Sequence, residues 1–175
     1  VQKRDIELNE LVKKRTIELE ELSVTDPLTK LFNRRKLDES LSNELERAKR
    51  NHSIFSLILI DIDPFKGVND TFGHQVGDSV LQEISILLKS NVRRIDTLGR
   101  WGGEEFLIIN TESNPEKVIE FTQKIRSKIE KHNFKTAGKV TCSFGVTHYL
   151  ENDTVDSIMR RADKALYKAK DSGRN

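Results

Sequence analysis

The sequence has one cysteine, Cys142, in 175 residues. That count excludes an internal disulfide and leaves no partner thiol for a cysteine-based metal site, so the chain reads as a protein of a reducing cytoplasm. Charge of one sign is equally scarce: 30 Lys and Arg face 28 Asp and Glu, a formal +2 with a sequence pI near 8.6. Such a balance gives no reason to expect nucleic acid as a partner. No apolar run approaches the roughly 18 residues that a membrane span requires, and the N-terminus lacks the apolar core of a signal peptide. Internal repeats and low-complexity tracts are absent too. A chain of this length accommodates one domain with a substantial core plus an appendage.

The appendage is the first stretch. Residues 1–22 are strongly charged, free of Gly and Pro, and carry Leu8, Val12, Leu19 and Leu22 at intervals of four, seven and three. This is a thin heptad seam interrupted by Arg15, read either as a weak coiled coil or as a solvated single helix. Asp26-Pro27 ends it, because the residue before proline is pushed out of the α region. The expected division is a linker helix over 1–25 and a domain over 26–175. The start at Val1, with a helix already under way, reads as a piece of something longer.

Within the domain, Leu37, Leu41, Leu45 and Ala48 mark one face of a helix over about 33–50. Ser56-Leu57-Ile58-Leu59-Ile60 is an apolar run long enough for a buried strand, and it ends in Asp61-Ile62-Asp63. The following residues, to Asp78, are polar and glycine-rich and read as a functional loop. Val80, Ile84, Leu87 and Leu88 give a helical stripe. Residues 97–101 and 106–109 read as strands joined through Gly102-Gly103 in a two-residue turn with φ > 0, which puts Glu104 and Glu105 at a hairpin tip. Asn114-Pro115 opens a helix with Val118, Phe121, Ile125 and Ile129 on its buried face. Residues 139–147 read as a strand, and Val155 to Ala169 as a last helix closing before Gly173. The order from Ser56 is βαββαβ plus a final helix, an α+β fold with a mostly antiparallel central sheet of the ferredoxin-like kind and surrounding helices.

Two acidic strand ends can share a divalent metal. Mg²⁺ takes oxygen ligands and keeps water and phosphate in its shell, so a few carboxylates beside a nucleotide triphosphate suffice. Each acid also has a plain reading, since strand-end and turn carboxylates commonly face water. Asp78 lies near a helix N-terminus, where acids favour the dipole, and Lys170 lies near a helix C-terminus, where cations do.

Gly102-Gly103-Glu104-Glu105-Phe106 resembles the signature of the GGDEF-type diguanylate cyclases in its GGEEF form. Further blocks agree in order and spacing: Asp26 to Arg35, Asp61 to Asp78, Thr141 to Val146, and Ala162 to Asn175. The resemblance implies a palm-type cyclase domain that condenses two GTP molecules into cyclic di-GMP and two pyrophosphates, works as a two-fold homodimer, and sits behind an upstream sensory domain. It implies Mg²⁺ or Mn²⁺, two ions per half-site, held by Asp61, the backbone carbonyl of Ile62, and Glu104, with Glu104 also as base or hydroxyl orienter. Glu105 and Asp63 are left as further ligands or as turn residues. Asn69 and Asp78 are implied to read guanine, His74 to contact substrate, and Lys66, Lys170 and Arg174 to hold the triphosphate. Arg93 with Asp96 matches the RxxD product-inhibition site; two arginines after a helix would also offset its dipole. Lys30 stands where the family commonly has glycine, and Pro64 where a histidine or aromatic is usual. The competing expectation is a catalytically silent module that binds GTP or cyclic di-GMP for a partner; a third is another palm-type nucleotidyl transferase.

Overall fold

The computed structural model describes residues 2–112 and 114–175, so Val1 of the expected linker helix lies outside the described residues. Six helices and four strands alternate as α1 (Gln2–Val24), α2 (Arg34–Asn51), β1 (Phe55–Asp63), α3 (Phe65–Phe72), α4 (His74–Lys89), β2 (Thr97–Arg100), β3 (Glu105–Thr111), α5 (Pro115–Lys131), β4 (Thr141–His148) and α6 (Val155–Asp171). The sheet order is β2-β3-β1-β4, with every neighbouring pair antiparallel. This is the expected βαββαβ connectivity.

An antiparallel sheet often leaves one face in water. Here both faces are covered, which explains why β1 is an unbroken apolar run rather than an alternating one: all nine of its residues are buried. Ile58, Ile60, Ile62, Phe106 and Ile108 face one core, filled by Val80, Ile84 and Leu88 of α4 and by Val118, Ile125 and Ile129 of α5. Leu57, Leu59, Leu107 and Ile109 face the other, filled by Leu37 and Leu41 of α2 and by Ile158, Ala162 and Leu166 of α6. Strand alternation therefore puts Asp61 and Asp63, which continue the odd-numbered series, on the α6 side of the sheet. Gly145 of β4 lets α6 approach: a Cβ there would stand 2.5 Å from the Ala162 carbonyl and 2.6 Å from the Leu166 amide.

The helix ends follow local chemistry. Asn33 and Asn114 cap α2 and α5 by accepting from the amides of Lys36 and Lys117, and Thr154 and Ser157 form a reciprocal capping box on α6. Two expectations need correction. The stretch from Asp61 to Asp78 is not a loop; after β1 it forms α3 and the start of α4. Gly102 and Gly103 do not adopt positive φ, and the turn is wider than two residues, with Trp101 and Gly102 amides both donating to the Glu105 carbonyl at 2.8 and 3.3 Å.

Candidate active site

Asp61 on β1 and Glu105 on β3 are direct cross-strand partners. Like charges in that position repel and destabilise a sheet. Glu104 is adjacent in the turn, and its carbonyl accepts from the Ile62 amide at 3.3 Å, which ties the turn to the end of β1. Burial and the Asp61 charge push the Glu104 carboxyl up from its ordinary value, with Lys170 partly opposing. Glu105 rises for the same first reasons, with Asp163 and Glu104 adding to it. Burial raises Asp61 as well; Lys170 works against that rise and Asp63 adds to it. Three acids thus crowd one sheet end.

One cation meets them. Lys170 Nζ of α6 lies 2.7 Å from Asp61 Oδ1, a close ion pair at a buried carboxylate. A buried carboxylate held by a single lysine beside two further acids is a donor set for a hard divalent cation. Gly103 supports that fit, since nothing lies within 4 Å of where its Cβ would be. Gly102 is less open, since a Cβ there would stand 3.4 Å from Glu105 Oε2. Ile62 points its side chain into the core at 2 % exposure, leaving only its backbone to serve a ligand. Among the described residues no three His, Cys, Asp or Glu side chains are arranged to hold a metal ion by themselves, so an ion at these acids would need carbonyl, phosphate and water to complete its shell.

Asp63 is differently employed. Its buried carboxylate accepts from Ser143 Oγ at 2.8 and 3.0 Å, from Thr141 Oγ1 at 3.2 Å and from the Asn175 amide at 3.2 Å. Asn69 on α3 packs over Gly77 of α4 so closely that a Cβ at Gly77 would stand 1.9 Å from Asn69 Oδ1. That oxygen is buried without a partner, and Asp78, the residue after Gly77, is exposed. The α3–α4 contact thus sets Asn69 against the residue before Asp78. His74 and Lys66, at the starts of α4 and α3, are exposed, as is Arg174.

The RxxD pair is folded onto itself. The Asp96 side chain is fully buried and accepts from the Arg93 amide, Nε and Nη2 at 3.1, 3.2 and 3.0 Å and from the Thr111 amide at 3.2 Å. Arg93 also donates to the Thr111 carbonyl. Asp96 therefore fastens the α4–β2 turn to the end of β3, and Arg93 is the half that faces solvent.

Sequence reasoning missed the support beneath the glycine turn. Arg100 donates from Nη2 to the Gly103 carbonyl at 2.7 Å and from Nε to the Gly102 and Gly103 carbonyls at 3.2 and 3.1 Å, while its Nη1 reaches Asp26 Oδ1 at 3.3 Å. Asp26 is raised by burial, but the Thr29 amide and hydroxyl with Arg100 outweigh this and hold it below the usual value. Arg34, at the start of α2, stacks 3.3 Å over the Trp101 ring. These links join the α1–α2 junction to the turn carrying Glu104. The visible signal was an arginine two residues before a Gly-Gly turn whose carbonyls need donors.

Comparison with known proteins agrees with this arrangement. Residues 23–175 match the family described as diguanylate cyclase, GGDEF domain. The chain is 43% identical over 161 residues to the response regulator PleD of Caulobacter vibrioides, covering 89% of this chain and 36% of PleD, so it spans about a third of the length of that relative. The crystal structure of the coiled coil and GGDEF domain of DgcB from Caulobacter crescentus, in complex with c-di-GMP, superimposes with a TM-score of 0.94 at 29% identity, covering 97% of this chain and 92% of that one. The active GGEEF domain of a diguanylate cyclase from Vibrio cholerae does so with a TM-score of 0.77 at 39% identity, covering 81% and 92%. The chain belongs to the GGDEF diguanylate cyclase domain family.

Proposed function

We propose that this domain condenses two GTP molecules into cyclic di-GMP and two pyrophosphates, each 3′-hydroxyl attacking the other nucleotide's α-phosphorus. The observation that carries the reading is the Asp61–Glu105 cross-strand pair with Glu104 beside it, three acids with only Lys170 against them. An acid cluster that is costly when empty becomes favourable around a cation, and family members generally depend on divalent metal. Mg²⁺ or Mn²⁺, two ions per half-site, would be held by Asp61, the Ile62 carbonyl and Glu104, with Glu105 in reserve. Bound there, the metal would ease deprotonation of the hydroxyl and neutralise phosphate charge.

The chain's own groups do the rest. Glu104 accepts the hydroxyl proton or orients it, aided by a carboxyl raised by burial and Asp61. Asp78 accepts the adjacent N1-H and N2-H donors of guanine together, and the Asn69 amide meets its other edge atoms. His74 contacts the substrate, and Lys66, Lys170 and Arg174 neutralise the triphosphate. The active GGEEF domain from Vibrio cholerae supports turnover with glutamate at this signature position.

The product has two identical halves while the chain offers one such site, so two copies must face each other about a two-fold axis. On α1, Leu8, Val12, Leu19 and Leu22 are each more than half exposed, with Leu11 beside them. This apolar row is the pairing surface, and Arg15 within it, engaged with Glu18 at 3.0 Å, keeps the pairing weak and open to control by an upstream sensory domain. The c-di-GMP complex of DgcB supports product binding as a property of the fold. For this chain, inhibition through Arg93 and Asp96 requires the product's phosphate or guanine to draw Arg93 from Asp96. No described helix is long and apolar enough to cross a membrane, and a cytoplasmic setting fits the GTP substrate. Incubation with GTP and Mg²⁺ tests the reading: cyclic di-GMP supports it, GTP bound without product marks a silent module, and a mononucleotide ring marks another palm-type enzyme.

A further inference from the structure

The end of α6 reverses direction by a specific device. The Arg174 amide donates to the Ala169 carbonyl at 3.0 Å and the Gly173 amide to the Lys170 carbonyl at 3.4 Å, with Gly173 at φ +110°. This is the paired bonding of a Schellman motif, which needs glycine at that point. Arg174 and Asn175 then both take left-handed backbone, at φ 66° and 57°, which non-glycine residues adopt only when held. The holding contact is the Asn175 amide on Asp63 Oδ2, reached across 112 positions of sequence. Ser143 and Thr141 on β4 fix the same carboxylate from the other side.

We propose that Asp63 is a positioning residue for the triphosphate, acting by tethering the 172–175 turn to the end of β1 so that Arg174 is presented beside Lys170. This rests on the cyclase reading for the identity of the ligand. The geometry separates Asp63 from Asp61: both lie on the α6 side of β1, yet Asp61 meets one flexible lysine, while Asp63 has its carboxylate occupied by two β4 hydroxyls and a backbone amide. A buried acid so employed has little capacity left for a metal. Its removal frees two backbone positions that favour other conformations, and the guanidinium at Arg174 loses its fixed origin.

The test uses 3′-deoxy-GTP, which lacks the attacking hydroxyl and so reports binding without turnover. Asp63→Ala and Arg174→Ala are each expected to weaken its binding about tenfold, the size of one charge-assisted contact. The double variant should be within about twofold of either single one, because both remove the same interaction. Asp63→Asn should restore most of the affinity, since its Oδ1 can still accept from the Asn175 amide while the two hydroxyls rotate to suit. Asn175→Pro, which deletes the tethering N–H and cannot hold the left-handed backbone that the tether keeps, releases the same turn far from the core and should reproduce the Asp63→Ala loss even if that variant folds poorly. Multiplying losses in the double variant, or Asp63→Asn as weak as Asp63→Ala with a higher Mg²⁺ requirement, would overturn the proposal in favour of a metal ligand. Wild-type binding by Asn175→Pro would overturn it outright. Failure of the wild type to make cyclic di-GMP would instead count against the cyclase reading, leaving the binding comparison to be read separately.

Discussion

Glu104→Gln should stabilise the metal-free domain while removing its response to metal. The carboxyl of Glu104 is raised by burial and by Asp61, so its ionised form is less favourable in the folded state than in the unfolded chain. For an acid with a raised folded-state value, the folded state binds more protons through the window just above the ordinary value of 4.5, and stability falls as pH rises through it. Above the folded value the penalty is fully present, which includes neutral pH. The isosteric neutral amide escapes that penalty, so its melting temperature in EDTA should rise, each kcal/mol recovered being worth about 2–4 °C for a chain of this size. Metal reverses the order: at a hundredfold excess over its Kd it adds about 2.7 kcal/mol to the wild type and much less to the variant. Thermal unfolding by circular dichroism, in EDTA and in Mg²⁺, reads both effects. A Glu104→Gln protein that melts lower than wild type in EDTA, or gains equally from Mg²⁺, would refute the reasoning.

Lys30 has φ 62°, so Lys30→Gly should stabilise by about 1 kcal/mol, read from chemical denaturation, with cyclic di-GMP output unchanged. Gly145→Ala should destabilise by about 1–3 kcal/mol and lower activity, because the new methyl meets α6 backbone that cannot yield without moving Lys170; unaltered unfolding would contradict the close packing. Asp78→Ala should weaken GTP binding more than ATP binding in a nucleotide titration, since ATP lacks the paired donors; equal loss would mark a folding role.

Much of this was legible in the residues. Asn114-Pro115 and the 3.6-residue stripes placed α2, α5 and α6, and the acids at the ends of β1 and β3 pointed to one site before any pairing was known. What failed has physical causes. Pro64, Gly67 and Gly73 punctuate the segment after β1, so an eight-residue helix burying only Phe65 and Val68 reads as a loop. The Gly-Gly pair suggested a left-handed turn, whereas neither glycine takes positive φ and the space is open only at Gly103. Lys30 stands where the family commonly has glycine, and its φ of 62° is a backbone angle that a sequence does not display. Asp63 and Asp61 look alike in Asp-Ile-Asp; only the position of β4 and the last turn separates a tether from an acid paired with one lysine. Arg100 acts through Asp26, 74 positions away, a distance no periodicity spans.

The central claim is condensation of two GTP molecules across two copies of the domain, and it is tested most directly by the initial rate of cyclic di-GMP formation over a dilution series in GTP and Mg²⁺. The account predicts cyclic di-GMP as product, with a rate that climbs more steeply than the first power of protein concentration at the dilute end. A rate strictly proportional to protein that is monomeric throughout, or no cyclic di-GMP at any concentration, would contradict it.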